Sequence, residues 1–525
     1  MADNTASEAL WATAFKEIEV RRKCALELGG EENIKRQHAA GRLTARERID
    51  LLLDDGSFQE IGMFTGKGTY DESGHVVSVI PANVVIGTGR VHDREIVVIA
   101  EDFTVRGGSS EATSPEKWQY GERLALEYQL PIVRLVETAG GSINLLEQAQ
   151  GTKIPGYPHW LWMDMLGVVP VVGVALGACA GFGAMRVVAS HFSVMPKKTA
   201  QVFAGGPAVV EPGVGEVVSK DDLGGSAVHT HGSGVVDNEA EDERDALEQV
   251  RRFLSYMPSN VFEAPTRSLS TDDPKRSEEI LRTIVPEEKR RAYPMRRIFE
   301  AVFDRDSLFE IGRYQGRSEI AMLGRLDGWT VGIMGNDPMV NGGALTAEAA
   351  EKMIRFVDMC DTFHIPIVNF IDQPGTYVGS VAEAKGTVRA GVRAAIMLEQ
   401  VSSAWCSIFV RRAFGLAGSA YGPLTHGANV RYAWPSAYWG SIPIEGGVEA
   451  AYKRDILAAE DPEVRRAELI ERFKPLESPF RTAERFGIQD IIDPRETRAI
   501  LCAWAERAYR LIPGMLGIKR RTMRC

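Results

Sequence analysis

EDFTVRGGSSEATSPEKW at residues 101–118 returns in altered form as NDPMVNGGALTAEAAEKM at residues 336–353. An offset of 235 carries Asp102 onto Asp337, Gly107 and Gly108 onto Gly342 and Gly343, and Glu116 and Lys117 onto Glu351 and Lys352. The same offset aligns QLPIVRLVETAGG (129–141) with HIPIVNFIDQPG (364–375), setting Pro131 on Pro366 and Gly140 on Gly375. Upstream, LLLDDGSFQEIG (51–62) matches AVFDRDSLFEIG (301–312) at an offset of 250, so the first copy holds 15 extra residues between the two blocks. Such an insertion is expected in a loop. A register kept over this length marks a duplicated domain.

Within each copy, apolar runs such as EIVVIA, PIVRLVE and VVPVVGVAL alternate with helical stretches such as SPEKWQYGERLALEYQL, which predicts an α/β layered fold. Residues 264–294, APTRSLSTDDPKRSEEILRTIVPEEKRRAYP, are polar and proline-bearing, the composition of an interdomain connection. The boundary is placed near Asp273, giving domains 1–272 and 273–525. A chain of 525 residues with 44% hydrophobic content fits two cores better than one.

The net charge of -10 is spread along the chain with no dense basic stripe, which argues against nucleic-acid binding. Cys24, Cys179, Cys360, Cys406, Cys502 and Cys525 lie far apart, with no CxxC pair, as expected of a reducing, cytoplasmic location. The first residues are acidic where a secretory leader would be basic. The uncharged run Met165 to Met185 is broken by Pro170 and glycines, and its valines favour a strand over a membrane span. The basic end KRRTMRC reads as a solvated tail. His229 and His231 lack an acidic or thiol partner at metal-site spacing, so no metal is expected. His426, near Tyr421 and Tyr432, reads as a packed, hydrogen-bonded histidine.

Several long segments, in order, resemble one family. They are GRLTARERIDLLLDDGSFQEIG, EDFTVRGGS, DDLGGSAVHTHGSGVVD, RTIVPEEKRRAYPMRRIFEAVFDRDSLFEIG and GNDPMVNGGALTAEAAEKMIRFVDMCDTFHIPIVNFIDQPG. All are similar to the carboxyltransferase (beta) subunits of propionyl-CoA, acetyl-CoA and methylcrotonyl-CoA carboxylases and related decarboxylases. The resemblance implies tandem crotonase-like (ClpP/crotonase superfamily) domains, usually assembled as a hexamer or a related ring of dimers. It places each active site between the first domain of one subunit and the second domain of another. It implies transfer of a carboxyl group from carboxybiotin to the α-carbon of an acyl-CoA through a thioester enolate. No AMKM-like biotin attachment segment and no ATP-grasp stretch is found, so a partner biotin carboxylase/biotin carrier subunit is implied.

In this chemistry the protein chiefly stabilises two oxyanions with preorganised backbone N–H groups, for which glycine turns at helix starts are suited. VVGVALGACAGFGAM turns at Gly181 and CSIFVRRAFGLAGSAYG turns at Gly415. The family's donor pairs fall on Gly181 with Phe182, and on Leu416 with Ala417. Many members carry paired glycines where this chain has Phe182 and Leu416. Gly107, Gly108, Ser109 and Gly140, Gly141, Ser142 are candidates for lining the acyl-CoA site, although backbone geometry alone also calls for glycine there. Gly415, Gly418 and Ser419 complete the second turn, where the family's GGAYD-type segment becomes GLAGS. A smaller, uncharged floor at Gly418 and Ser419, with apolar bulk at Phe182 and Leu416, predicts preference for a longer, branched or aromatic acyl-CoA. Two other classes stay open on sequence: a biotin-independent crotonase-like acyl-CoA decarboxylase, hydratase or hydrolase, and a noncatalytic scaffold.

Overall fold

The computed structural model describes residues 2–152, 162–419 and 429–519. Two compact units, Met1–Asn260 and Val261–Cys525, divide the chain, so residues 261–272 count with the second unit.

The first unit is built on one twisted sheet. Its strands are β1 (Gln59–Ile61), β4 (Val84–Val91), β5 (Arg94–Glu101), β6 (Ile132–Thr138), β7 (Val171–Ala180), β8 (Phe192–Pro196) and β10 (Asn238–Ala240), in that spatial order, with β9 (Gln201–Phe203) also pairing β7. β1, β4 and β5 pair antiparallel; the pairings from β5 onward are parallel. All seven residues of β6 and all ten of β7 are buried, the pattern of parallel strands covered on both faces. The 15-residue insertion is a hairpin rather than an irregular loop, with β2 (Gly66–Tyr70) pairing antiparallel to β3 (Val76–Pro81).

The second unit repeats the sheet as β11 (Phe309–Glu310), β12 (Glu319–Leu326), β13 (Trp329–Asn336), β14 (Ile367–Gln373), β15 (Trp405–Phe414), β16 (Val430–Ala433) and β18 (Asp490–Ile491), with β17 (Tyr438–Gly440) beside β15. The repeat reaches individual pairings. Val97 faces Ile132 as Gly332 faces Ile367, and Ile132 faces Val171 as Ile367 faces Trp405. Even the irregularities coincide, since register shifts fall between Val136 and Thr138 and between Ile371 and Gln373.

Helix starts are marked in the sequence. Thr44 forms a reciprocal capping box with Glu47 at the helix Ala45–Leu52, and Thr346 caps the helix Ala347–Thr362 through the Ala349 N–H. The Met165 to Met185 run contains the buried strand β7, and among the described residues no helix is long and apolar enough to cross a membrane.

Candidate active site

In the first unit three turns meet at the carboxyl ends of β5, β6 and β7, the edge where open α/β sheets bind ligands. Gly107 and Gly108 take left-handed angles, φ 64° and 62°, and a side chain on Gly108 would lie 2.6 Å from the Glu137 carbonyl oxygen. Thr138 ties the turns together. Its hydroxyl donates to Gly108 O at 2.6 Å and accepts from Gly140 N–H at 3.0 Å, while a Cβ on Gly183 would stand 2.3 Å from its methyl. Gly140 O accepts from Ser110 N–H, and Ser142 N–H donates to Ser110 Oγ, both at 3.0 Å. Ser109 is buried with its carbonyl held by Asn83, and space is open beside Gly141.

Gly181, φ 56° and ψ -115°, is the N-cap of the helix Phe182–Val188. Its N–H donates to Phe203 O at 3.0 Å, so this member of the sequence-assigned donor pair is engaged within the unit. Gly183 is the next residue in the helix's first turn after Phe182. The offset of 234 that maps Gly181 onto Gly415 also maps Gly183 onto Ala417. Phe182 is half-buried at the start of this helix. Its ring packs 5.5 Å from Trp118 at 50°, with the Arg186 guanidinium 5.5 Å from each ring.

A buried carboxylate lies at each sheet irregularity, opposite a stretch of β7 or β15 that is two residues longer than its partner. Glu137 is held by Arg42 at 2.8 Å, Arg48 at 2.6 Å and Gln37 at 2.7 Å, and Arg48 also pairs with Glu243 at 2.7 Å. Gly177 leaves the room, since a Cβ there would stand 2.3 Å from Glu137 Oε1. Its counterpart Asp372 is held by Arg411 at 2.9 Å and Arg412 at 2.6 Å, both from the adjacent strand. The same position is thus neutralised by N-terminal helices in one unit and by β15 in the other. Asp102, beside this first network, keeps one carboxylate oxygen buried and unpartnered, and burial raises its pKa.

In the second unit Gly342 and Gly343, φ 64° and 85°, repeat the double-glycine turn. Arg412 donates to Gly342 O at 2.7 Å, and Leu345 N–H donates to Gly375 O at 3.1 Å. Gly415, φ 63°, opens the short helix Gly415–Ser419. A slot of 220 Å³ runs beneath it, bounded by Leu345, Met353, Val388, Val392, Leu416 and Ala417 among others. The small residue at Gly418 opens no added room, because a Cβ there would approach the Ala413 carbonyl carbon to 2.7 Å. Ser419 ends the described helix. His426 and Tyr421 lie outside the described residues; Tyr432 is half-buried on β16.

One basic cluster escaped sequence reasoning. Arg36, Arg42 and Arg106 share a cavity of 280 Å³ with Asn33, Gln37, Phe103, Thr104 and Gly107, and no carboxylate lines it. Arg106 adopts φ 50°, unusual for a residue with a side chain. A signal was present in the repeat for two of them, because Arg42 falls on Ala292 at the offset of 250 and Arg106 on Asn341 at the offset of 235. His229 bonds Val202 O and Ser233, and His231 bonds Glu239; among the described residues no group of three or more His, Cys, Asp or Glu could hold a metal.

Two parallel-dominated sheets with glycine turns at matching strand ends define a tandem crotonase-like carboxyltransferase fold. Residues 36–510 match the family described as carboxyl transferase domain, and the chain belongs to that family. It is 36% identical to the propionyl-CoA carboxylase carboxyltransferase subunit of Haloferax mediterranei, over 93% of this chain and 94% of the relative. It is 33% identical to the methylmalonyl-CoA decarboxylase subunit alpha of Veillonella parvula, over 90% and 91%. The crystal structure of the transcarboxylase 12S hexamer, with methylmalonyl-coenzyme A and methylmalonic acid bound, matches at a TM-score of 0.85 and 29% identity, covering 97% of this chain and 96% of that one. The chain is accordingly an enzyme of carboxyl transfer, of the type used by biotin-dependent acyl-CoA carboxylases. Carboxyltransferase subunits of this type act on acyl-CoA, with biotin on a partner subunit.

Proposed function

We propose that the first unit holds the acyl-CoA and the second unit receives the biotin ring. The observation that carries this division is the arginine cavity beside the Gly107 turn, where the repeat positions of Arg42 and Arg106 in the second unit carry Ala292 and Asn341. Coenzyme A brings phosphates, and the planar guanidinium fork suits them. The biotin ring is uncharged and compact, which fits a mainly apolar slot that Ala417 lines with Glu383 and Thr387 at its border. When bound, biotin supplies the carboxyl group and the acceptor for the α-proton.

The chain's own part is electrostatic. Gly183 N–H in the first unit and Ala417 N–H in the second stand at helix starts, where the dipole favours the developing negative charge, with Phe182 and Leu416 beside them. The turns Gly107–Ser109 and Gly140–Ser142 shape the thioester side, and Gly415, Gly418 and Ser419 the other. Glu137 and Asp372 are held by arginines at full burial, an arrangement suited to fixing the turns rather than to taking a proton.

The working form is a hexamer in which the first unit of one copy and the second unit of another complete each active site. Exposed apolar side chains support association. The helix Pro207–Val214 buries none of its residues, and Val378, Val381, Val388 and Leu416 are exposed around the second turn. A biotin carboxylase/biotin carrier subunit is the partner, and the cytoplasm the location; the described cysteines are all free.

The test is transfer of carboxyl from a carboxylated biotin carrier to acyl-CoA by the purified chain. Transfer weakened by inorganic pyrophosphate in competition with coenzyme A at the arginine cavity is expected. Absence of transfer with every acyl-CoA tried would overturn the reading.

A further inference from the structure

Trp118 occupies the repeat position of Met353, at an offset of 235, and Phe182 that of Leu416, at an offset of 234. In the second unit Met353 and Leu416 border the 220 Å³ slot beneath the glycine turn. In the first unit the same two positions carry a tryptophan and a phenylalanine packed against each other. Arg186, one helical turn after Phe182, lies against both rings and pairs with Glu101 at the end of β5. Trp118 and Arg186 are buried, and Phe182 is half-buried at the turn itself.

We propose that Trp118, Phe182 and Arg186 form a plug that fixes the greatest acyl length the first unit accepts. This rests on the reading that the first unit holds the acyl-CoA. The thioester carbonyl is read at the helix start, so an acyl chain extending from it meets whatever fills the space under that turn. Two aromatic rings and a guanidinium fill it here. The stack is stiff for a physical reason, because cation–π contact and the ion pair to Glu101 oppose displacement of a cation already out of water. An added methylene therefore meets a wall. The longer-chain preference expected from Gly418 has no structural footing, since the Ala413 backbone closes that position. The parent enzyme is assigned to short acyl groups.

The experiment compares kcat/KM for straight-chain acyl-CoAs of increasing length in the parent and in Phe182→Ala, using carboxylated carrier as donor. Parent activity should fall steeply beyond the short members. Phe182→Ala should move the optimum to longer chains, gaining about fourfold for each methylene the opened space receives. Leu416→Ala should leave the position of the optimum where it is in the parent. An unchanged ratio of long-chain to short-chain kcat/KM in a folded, active Phe182→Ala variant overturns the plug. Phe182→Leu gives the intermediate shift if the alanine variant is unstable. If the parent transfers carboxyl to no acyl-CoA, the functional reading fails instead. Calorimetric binding of the same acyl-CoA series then tests the plug without turnover, and equal chain-length dependence in parent and variant overturns it.

Discussion

Thr138 joins three turns through one side chain, and its replacement separates shape from hydrogen bonding. Thr138→Val keeps the methyl that Gly183 packs against but deletes the hydroxyl bonded to Gly108 and Gly140. Unsatisfied buried groups cost about 1–3 kcal/mol. We expect the variant to fold with a lowered melting temperature and to lose roughly tenfold or more in kcat, as a misplaced turn loses transition-state contacts. A kcat equal to the parent's would remove Thr138 from the positioning of the site. Arg106→Asn, which installs the second copy's residue, should raise KM for acyl-CoA about tenfold with kcat nearly kept, the effect of losing one charge-assisted bond to phosphate. A change in kcat alone would place Arg106 at the reaction instead. Ala417→Pro removes a backbone donor and should cost about 100-fold to 1000-fold in turnover, measured beside circular dichroism to confirm folding.

Strands β6 and β14 each present a carboxylate at a sheet irregularity, and the surrounding elements decide its fate. Glu137 depends on arginines from the N-terminal segment, so Glu137→Ala leaves Arg48 with Glu243 as its one remaining carboxylate, beside the Leu176 carbonyl. Breaking a buried pair on one side typically costs about 3–5 kcal/mol, and urea unfolding should show a loss of that order. Elsewhere, Lys117 and Lys352 occupy one repeat position on their helices, each with its pKa pulled down to about 8 by burial. Their unfolded value is near the usual lysine range, about 10.4. Between those values the unfolded chain holds more protons, so stability from these groups rises with pH. The parent should therefore gain on Lys352→Met by on the order of 1–2 kcal/mol from pH 7.5 to 9.5, in denaturant melts at both pH values. Taking the difference between the two proteins cancels the opposing titration of the buried cysteines.

At the scale of the whole molecule, exposed valines suggest surfaces that are covered on association. Val217 is 83% exposed and Val378 78%. The charged substitution Val381→Glu should lower the mass found by analytical ultracentrifugation and lower activity with it. A parent that sediments as a stable monomer under assay conditions, fully active, would exclude the shared site. The two units have kept one sheet order while exchanging side chains at matching places. Under the proposed assignment of acyl-CoA and biotin to the two units, the scaffold sets where amides point, and local substitutions set charge and volume.

The duplication, the α/β class and the glycine turns were legible because they follow from local rules. Register is kept by apolar periodicity and by positions such as Gly107, Gly108 and Gly181 that require left-handed φ. The family, too, could be recognised from contiguous segments. Other features depended on residues distant in sequence. The Glu137 network draws on positions 37, 42, 48 and 243, and no window of sequence contains them together. The direction of the Phe182 ring was decided by Trp118 and Arg186, and the closed floor at Gly418 by the Ala413 backbone. Sequence alone determined which amides stand at helix starts, since backbone conformation is locally encoded. Only tertiary structure decided which of them is engaged and which space is filled, because packing is settled between elements and not along them.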